Sequence, residues 1–293
     1  MTHRNSADTT PTLYVDAAGE RIAYRTSGPS RPGVLPLVLA QRFRGVMDQW
    51  DPALLDGLAA ERPVYWFDST GVGLSSGSVP PSIPGMADVL IAFTEALGLG
   101  RFDLLGWSMG GYVAQTVALR RPDLVRRLIV AGSGPGAVPD APAPPPRVME
   151  IASKPVNVDD DYLYLFYPDT PTAMAAGRAQ LGRLGHRSEP PEPMLPMESV
   201  KAQLASFGAF HEHDAILPHL PAMTLPILYA NGVHDIMIPT YNCFAAVQAA
   251  PNARLVLYPD AGHGFLFQYA EAFAREVHAF LSDNLSTLGM KET

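Results

Sequence analysis

Short apolar runs alternate with helical patterns along both ends of the chain, and this alternation constrains the fold more than any other feature. The runs lie at 37–40, 64–67, 102–105, 128–131, 227–230 and 254–258. Helical patterns lie at 52–60, 83–97, 109–121, 240–250 and 265–281. Two earlier runs, 13–15 and 21–24, predict a hairpin that turns at Ala18-Gly19. Continuous apolar runs fit strands that are buried on both faces of a parallel sheet. The alternation therefore predicts an α/β fold with a doubly wound, mostly parallel sheet.

Proline marks a middle segment whose pattern differs from that of both flanks. The chain has 29 prolines, roughly twice the average share, and they cluster at 135–146 and 189–196. Proline fixes its own backbone angle and lacks an amide hydrogen, so both clusters predict irregular linkers. Helical patterns lie around them at 159–166, 172–184 and 198–210. We therefore predict a helical cap, 137–221, inserted into a core domain formed by 1–136 and 222–293.

Composition and charge exclude several classes of protein. With 47% hydrophobic residues the chain is not disordered, and its net charge of -8 offers no basic field to nucleic acid. Cys243 is the single cysteine, so no internal disulfide forms and no oxidising compartment is required. The opening at 1–6 is polar, unlike a secretory signal, and no apolar run is long enough to span a bilayer. We expect a cytoplasmic protein that binds neither nucleic acid nor membrane.

The sharpest local signal is the sequence Gly-Trp-Ser-Met-Gly at 106–110, which follows a predicted strand and opens a predicted helix. This context is typical of a nucleophile elbow, in which a serine lies on a tight strand-to-helix turn. Glycines two positions on either side of Ser108 allow strand and helix to approach closely, and the helix N-terminus favours developing negative charge. The alternative is a glycine-rich turn with an incidental serine. The flanking strand and helix favour the nucleophile.

A serine is not nucleophilic at neutral pH unless a base accepts its proton and a third group orients that base. Asp235 follows the fifth of the six runs and His263 follows the sixth. Both therefore lie at the sheet edge where open α/β folds place their sites. The order Ser, Asp, His is also the order of this fold class. We predict a triad in which Ser108 attacks, His263 carries the proton and Asp235 orients the imidazole.

Other candidates for these roles are weaker. Asp260 and Asp68 are the alternative acids, and each is predicted to be a turn residue instead. His234 lies in the loop typical of the acid rather than of the base. His211 and His213 have the spacing of a metal pair, but no further ligand cluster accompanies them, so a solvated surface is favoured. The sequence also has no phosphate-binding loop or dinucleotide fingerprint, and we predict no cofactor.

These motifs make the chain similar to the α/β-hydrolase superfamily over nearly its whole length, in its serine-nucleophile branch of esterases and cofactor-free haloperoxidases. The sequence at 68–75 resembles the family's D-x-x-G-x-G-x-S turn, and the segments around Asp235 and His263 match its acid and base loops. The resemblance implies an eight-stranded, mostly parallel sheet with a helical cap between strands six and seven. It also implies that the 68–75 turn is structural.

The resemblance implies an oxyanion hole as well, and there the sequence departs from the family. One backbone amide is expected from Met109, the residue after the nucleophile, and the other, by position, from Phe43. Relatives carry a His-Gly-x motif after the first of the six runs. This chain has Gln41 and Arg42 in place of the histidine and glycine.

Arg42 brings a long cation to the rim of the predicted site. One interpretation is that its side chain points to solvent or pairs with a nearby acid such as Asp48 or Asp51. The other is that Arg42 or Arg44 contacts a carboxylate or another polar group of the substrate. The sequence leaves both interpretations open.

The residue types favour hydrolysis of a carboxylic ester or lactone through an acyl-enzyme on Ser108. A serine nucleophile argues against the aspartate-dependent dehalogenases and epoxide hydrolases of the superfamily. Carbon–carbon bond hydrolases and perhydrolases or haloperoxidases with the same triad remain alternatives, as does a ligand-binding protein that keeps the fold without catalysis. We expect Trp107 and Phe265 to contact the substrate together with Arg42. The expected partner is a small or medium hydrophobic molecule, and the sequence leaves homo-oligomer formation open.

Overall fold

The apolar runs form a single sheet of eight strands within the described part of the chain. The computed structural model describes residues 7–187, 189–282, 285 and 289–291, so the polar opening at 1–6 lies outside the described residues. The strands are β1 Leu13–Ala17, β2 Glu20–Ser27, β3 Leu37–Ala40, β4 Val64–Phe67, β5 Phe102–Trp107, β6 Val125–Ala131, β7 Ile227–Gly232 and β8 Ala253–Tyr258.

The strand order across the sheet is β1-β2-β4-β3-β5-β6-β7-β8. β2 runs antiparallel to β1 and to β4, while every neighbouring pair from β4 to β8 is parallel. Parallel neighbours need crossover connections, and helices provide them on both faces of the sheet. The predicted α/β class with a doubly wound, mostly parallel sheet is therefore confirmed. The carboxyl ends of β3 to β8 share one edge of the sheet.

Helices cover both faces of the sheet and enclose two apolar cores. The α-helices are α1 Pro52–Leu58, α2 Ile83–Ala96, α3 Met109–Arg120, α4 Pro146–Ala152, α5 Asp159–Phe166, α6 Pro171–Arg183, α7 Met197–His213, α8 Thr240–Ala249, α9 Phe265–Gln268 and α10 Ala270–Leu281. Successive strand residues face opposite sides. Val38 and Leu104 thus enter the core beneath α2, α3 and α8, whereas Leu39 and Leu105 enter the core beneath α1 and α10.

Two helix predictions are corrected by the structure. α4 begins at Pro146, the last proline of a cluster predicted to be irregular. Proline is tolerated there because the first helical amide has no partner within the helix. The predicted helix at 265–281 is two helices, since Tyr269 leaves the helical conformation with φ −113° and ψ 37°. The Tyr269 hydroxyl donates to Pro259 O (2.8 Å), which fixes the break.

Helices α4 to α7 lie between β6 and β7 and form most of the segment 137–221, called the inserted segment below. Its two ends meet, because Pro135 O accepts hydrogen bonds from Ile216 N (2.7 Å) and Leu217 N (3.1 Å). The division of the chain into a core domain and a cap domain stays a prediction. Among the described residues, no helix has both the length and the apolar character needed to cross a bilayer.

A buried network of polar side chains fastens the second proline cluster of the inserted segment to β2. Arg25 donates to Asp48 and to Glu192, each at 2.7 Å, and the Glu192 amide donates to Asp48 Oδ2 (3.0 Å). Arg187 adds a second cation 3.3 Å from Asp48. Burial, with the nearby carboxyls of Asp68 and Asp48, raises the pKa of Glu192 to about 9, although Arg25 opposes this change.

The raised pKa of Glu192 predicts a pH dependence of stability. The folded protein holds a proton on this carboxyl that the unfolded chain releases near its ordinary pKa of 4.5. Proton binding by Glu192 stabilises the folded protein in full below pH 4.5, and this stabilisation is lost as the pH rises towards 9. Urea unfolding should therefore show a loss on the order of 1–3 kcal/mol between pH 6 and pH 9.

Two variants test the source of this loss. Glu192→Gln cannot titrate and should remove most of it. Glu189→Gln changes a neighbouring side chain that is 41% exposed, and it should retain the loss. Equal losses in the wild type and in Glu192→Gln would contradict the assignment.

Candidate active site

Ser108 occupies a strained turn between β5 and α3. Its backbone angles are φ 57° and ψ −122°, which residues with a side chain rarely adopt. Its amide donates to Ala131 O (2.9 Å) and its carbonyl accepts from Gly111 N (2.8 Å), so the turn is fixed on both sides. A strained serine between a strand and a helix has the geometry of a nucleophile elbow.

The turn needs glycine on both sides because backbone atoms approach too closely for a side chain. A Cβ atom at Gly106 would lie 2.1 Å from Gly110 O, and one at Gly110 would lie 2.1 Å from Ala40 O. The N-terminus of α3 therefore packs directly against the end of β3. This contact brings the loop after β3 next to Met109.

Asp235 and His263 lie on the loops after β7 and β8 and are joined directly. His263 Nδ1 and Asp235 Oδ2 are 2.8 Å apart, and both side chains are fully buried. The other carboxylate oxygen of Asp235 accepts from Met237 N (2.8 Å) and Ile238 N (3.0 Å). These amides fix the carboxylate, which in turn favours a proton on Nδ1 and leaves Nε2 as the basic nitrogen.

His263 Nε2 is buried and has no hydrogen-bond partner among the described residues. The imidazole lies close to the elbow, because the indole of Trp107, the residue before Ser108, donates to His263 O (3.2 Å). The structure thus joins acid and base, while no hydrogen bond links Ser108 to the base within the described ranges. Catalytic hydrogen bonds are often formed only when substrate is bound. An unpartnered basic nitrogen beside a strained serine is suited to accept its proton.

The two alternative acids are bonded elsewhere. Asp68 accepts from Met47 N and Leu74 N, each at 2.9 Å, and burial raises its pKa to about 7. Asp260 accepts from Thr170 Oγ1 (2.8 Å). Both carboxyls hold turns and inter-segment contacts rather than a histidine.

His211 and His213, which have the spacing of a metal pair, make other contacts in the structure. His211 Nδ1 hydrogen-bonds with Phe207 O (2.9 Å), and its ring packs against the Phe207 ring. His213 is 73% exposed and lies 3.5 Å from Glu212. In the part of the chain that the structure describes, no three ligating side chains are grouped as a metal site requires.

The loop after β3 is shaped by the side chain of Gln41. Its Oε1 accepts from Arg42 N (2.9 Å) and its Nε2 donates to Val46 O (3.0 Å), which closes the loop into a turn. The Phe43 amide donates to no acceptor among the residues described. The Met109 amide is the first of α3, where an amide has no helical partner. Two such amides beside the elbow are what an oxyanion hole requires, and their assignment stays a prediction.

Arg42 does not point to solvent. The residue is 8% exposed, and its guanidinium donates to Phe43 O (2.7 Å) and to Gln49 Oε1 (2.8 Å). Both acceptors are neutral. The guanidinium therefore lies inside the protein with its positive charge uncompensated by these bonds.

The acids expected to pair with Arg42 have other partners, so that interpretation is wrong. Asp48 pairs with Arg25 at 2.7 Å, and Asp51 pairs with Arg183 at 2.5 Å. Asp51 also accepts from the second residue of α1 as its N-cap. Both acids are close to Arg42 in sequence, but each pairs with an arginine that the fold brings from another element.

Arg44 connects the loop after β3 to the inserted segment. Its guanidinium donates to Lys154 O (2.6 Å) and Pro155 O (3.0 Å), and its amide donates to Gln203 Oε1 (2.8 Å). All three acceptors belong to the inserted segment. Arg44 therefore fixes this loop, and the alternative in which it contacts substrate is not supported.

Two cavities adjoin the elbow, and Arg42 lines both of them. The lining of the apolar cavity includes Gln41, Gln203 and the side chains of Phe67, Val72, Val79, Met86, Met109 and Val113. The lining of the aromatic cavity includes Gln49, Trp107, Tyr162, Phe166 and Phe267. The predicted positions Arg42 and Trp107 thus border a space beside Ser108.

Phe265 does not border either cavity, and the structure corrects its predicted substrate contact. The residue is fully buried and packs against Tyr258 and Phe273, with ring centres 5.2 Å and 5.4 Å away. Phe265 is the first residue of α9, and its ring lies in the core beneath α1 and α10. Its neighbour in sequence, Phe267, lines the aromatic cavity instead.

The inserted segment covers the base. Gly264 N donates to Phe166 O (2.9 Å), and the Phe166 ring centre lies 5.6 Å from that of His263. Ser108 is 4% exposed and His263 is completely buried. Ser108 and His263 are therefore largely shielded from bulk water in this structure.

Sequence reasoning missed Gln49 and Gln203, which accept from Arg42 and Arg44. Each is a single polar residue outside any motif. Gln203 lies 159 residues after Arg44 and meets it only because α7 folds over the loop. No signal within the sequence could have paired them.

Comparison with known proteins identifies the same fold in other chains. A family model described as the alpha/beta hydrolase fold matches residues 36–269. Among solved structures, an alpha/beta hydrolase fold protein from Chitinophaga pinensis is 32% identical with a TM-score of 0.86. The match covers 95% of this chain and 100% of that chain.

Two curated relatives match over most of their length. A poly(3-hydroxyalkanoate) depolymerase from Ectopseudomonas oleovorans is 28% identical, over 92% of this chain and 91% of that protein. A pimeloyl-[acyl-carrier protein] methyl ester esterase from Pectobacterium atrosepticum is 29% identical, over 76% of this chain and 85% of that protein. The chain spans only 45% and 11% of two further curated proteins that it matches.

Proposed function

The chain belongs to the alpha/beta hydrolase fold family and is a hydrolase, and from this premise we propose that it cleaves a carboxylic ester or lactone through an acyl-enzyme on Ser108. One observation carries the proposal. The imidazole of His263 is bonded to Asp235 through one nitrogen and has a buried, unpartnered nitrogen on the other side. A buried polar atom without a partner is costly, and a catalytic role is one of its recognised explanations.

In the proposed reaction, Ser108 Oγ attacks the carbonyl carbon while the hydroxyl proton passes to His263 Nε2. The amides of Phe43 and Met109 and the N-terminus of α3 stabilise the negative charge on the carbonyl oxygen. The tetrahedral intermediate releases the alcohol, which takes the proton from His263, and an acyl group remains on Ser108. Water then gives a proton to the same imidazole and attacks the acyl carbon. The bond from that carbon to Ser108 Oγ breaks, Oγ takes the proton back from His263, and the carboxylic acid is released.

The proposed substrate is a small or medium compound with an apolar part. The apolar cavity beside the elbow has a mostly hydrophobic lining, as small-molecule sites do. One curated relative is named as a methyl ester esterase, which supports an ester as substrate. We propose that the inserted segment acts as a cap that opens for substrate and then excludes bulk water from the acyl-enzyme.

Treatment with a fluorophosphonate tests the nucleophile without knowledge of the substrate. We expect stoichiometric labelling of Ser108, identified from intact and peptide masses, and none in Ser108→Ala. In His263→Ala the labelling rate should fall by about 10³-fold or more, because the base is missing. Ser133→Ala, a buried serine in the loop after β6, is the matched control and should be labelled like the wild type. No labelling of the wild type would contradict the proposal and favour a ligand-binding protein.

A further inference from the structure

Arg42 carries a buried positive charge beside the candidate nucleophile. Its Cζ atom lies 5.3 Å from the ring centre of Phe166 and 5.5 Å from those of Trp107 and Tyr162. Aromatic faces attract a guanidinium, so these rings stabilise it in part. They supply no negative charge.

No carboxylate neutralises Arg42 in the described part of the chain. Its guanidinium donates to the neutral oxygens of Phe43 and Gln49, its further hydrogen-bond neighbour is the side chain of Tyr162, and its Nε is buried without a partner among the described residues. Burial lowers the pKa of Arg42, which reflects the cost of keeping the charged form away from water. A buried charge without a counter-ion is expensive and is typical of a site that awaits a ligand.

The guanidinium is placed where a substrate would meet it. Arg42 lines both the apolar and the aromatic cavity, and Met109 and Trp107, the two neighbours of Ser108, each line one of them. Phe166, which faces the guanidinium, also packs against the imidazole of His263. A group attached to the reacting carbonyl therefore reaches Arg42 from either cavity.

We propose that Arg42 binds a carboxylate of the substrate, so that the preferred substrates are esters or lactones with a free carboxylate, such as monoesters of dicarboxylic acids. The carboxylate supplies the missing charge and accepts hydrogens of Nε and of a terminal nitrogen in one plane. A single carboxylate fits better than a doubly charged phosphate, because the guanidinium of Arg44 is already bonded to carbonyl oxygens of the inserted segment. The hydrolytic part of this inference rests on the proposed function, whereas carboxylate binding does not require turnover.

Selectivity between two esters of equal acyl length tests the inference. 4-Nitrophenyl hydrogen glutarate carries the carboxylate, and 4-nitrophenyl pentanoate lacks it. We expect the wild type to favour the glutarate ester. Arg42→Met should lower the ratio of the two kcat/KM values by about 10- to 100-fold, mainly through KM. Arg42→Lys keeps the charge without the planar fork and should lower the ratio less. Arg178→Met, at an exposed position of α6, is the matched control and should leave the ratio at the wild-type value.

Binding without turnover separates this inference from the proposed function. Calorimetry on Ser108→Ala should show saturable binding of monomethyl glutarate that methyl pentanoate does not match. Arg42→Met in the same background should weaken it by about 10-fold or more. Binding of this kind in a protein that fluorophosphonate does not label would overturn the proposed function and support the inference.

The opposite pattern would overturn the inference. If Ser108 is labelled but neither assay shows a preference for the carboxylate, Arg42 is not a substrate-binding residue. The comparison of the two ligands in Ser108→Ala needs no change at Arg42. The test therefore holds even if Arg42→Met does not fold.

Discussion

Replacing His263 with alanine is expected to lower kcat for ester hydrolysis by about 10⁴- to 10⁶-fold. Both proton transfers of the proposed reaction pass through His263 Nε2, and its loss leaves Ser108 without a base. Asp235→Asn should cost about 10³- to 10⁴-fold, because an amide no longer favours the required tautomer of the imidazole. Initial rates with 4-nitrophenyl acetate, referred to protein that is folded by circular dichroism, measure both effects.

His234 provides the matched control for this prediction. It lies next to Asp235 in the chain but is exposed, and among the residues described the hydrogen bond of Asp235 to a histidine ring goes to His263. His234→Ala should therefore keep kcat within a few-fold of the wild type. A loss as large as that of His263→Ala would show that the base has been assigned to the wrong loop.

Replacing Gly110 with alanine is expected to destabilise the fold by about 3 kcal/mol or more, and in the strongest case to prevent folding. The added Cβ would lie 2.1 Å from Ala40 O and 2.5 Å from Ala40 C, both of which are backbone atoms of β3. Neither can move without shifting β3 or α3, which position the two amides proposed for the oxyanion hole. Urea unfolding and the thermal midpoint measure the loss, and any folded fraction should also label slowly with fluorophosphonate.

Gly208 in α7 is the matched control for Gly110. A Cβ atom there would meet nothing within 4 Å. Alanine is a better helix former than glycine, so Gly208→Ala should stabilise the protein by about 0.5–1 kcal/mol. If Gly110→Ala is as stable as the wild type, the close contact between α3 and β3 is wrong.

The strands could be predicted closely because a strand buried on both faces leaves an unbroken apolar run. β3 and β4 coincide with the predicted 37–40 and 64–67 at both ends. The break at Tyr269 could not be predicted, since it depends on a hydrogen bond to Pro259 that the sequence pattern does not encode. The start of α4 at Pro146 could not be predicted, because proline is compatible both with an irregular linker and with a first helical turn.

In the candidate site, the residues that lie in motifs could be predicted, but the contacts between distant residues could not. Ser108, Asp235 and His263 could be predicted because each follows a recognisable strand, and parallel strands end at one sheet edge. The surroundings of Arg42 could not be predicted in this way. Its possible partners Asp48 and Asp51 are a few residues away, yet Arg25 and Arg183 pair with them in the folded protein. The contacts of a long side chain are decided by the whole fold.

The meeting of Ile216 and Leu217 at Pro135 O gives this protein a natural junction for exchange. Everything between the two ends can be lengthened, shortened or replaced without cutting a strand, and the entropy of closing such a loop changes only slowly with its length. Replacement of the inserted segment, in evolution or in an engineered chimera, could therefore change substrate recognition while the strands and loops that carry Ser108, Asp235 and His263 stay the same. A replacement must also supply the partners that the inserted segment now gives to the rest of the chain, such as a cation for the buried Asp51, as Arg183 provides here, and a carbonyl for the amide of Gly264, as Phe166 provides here.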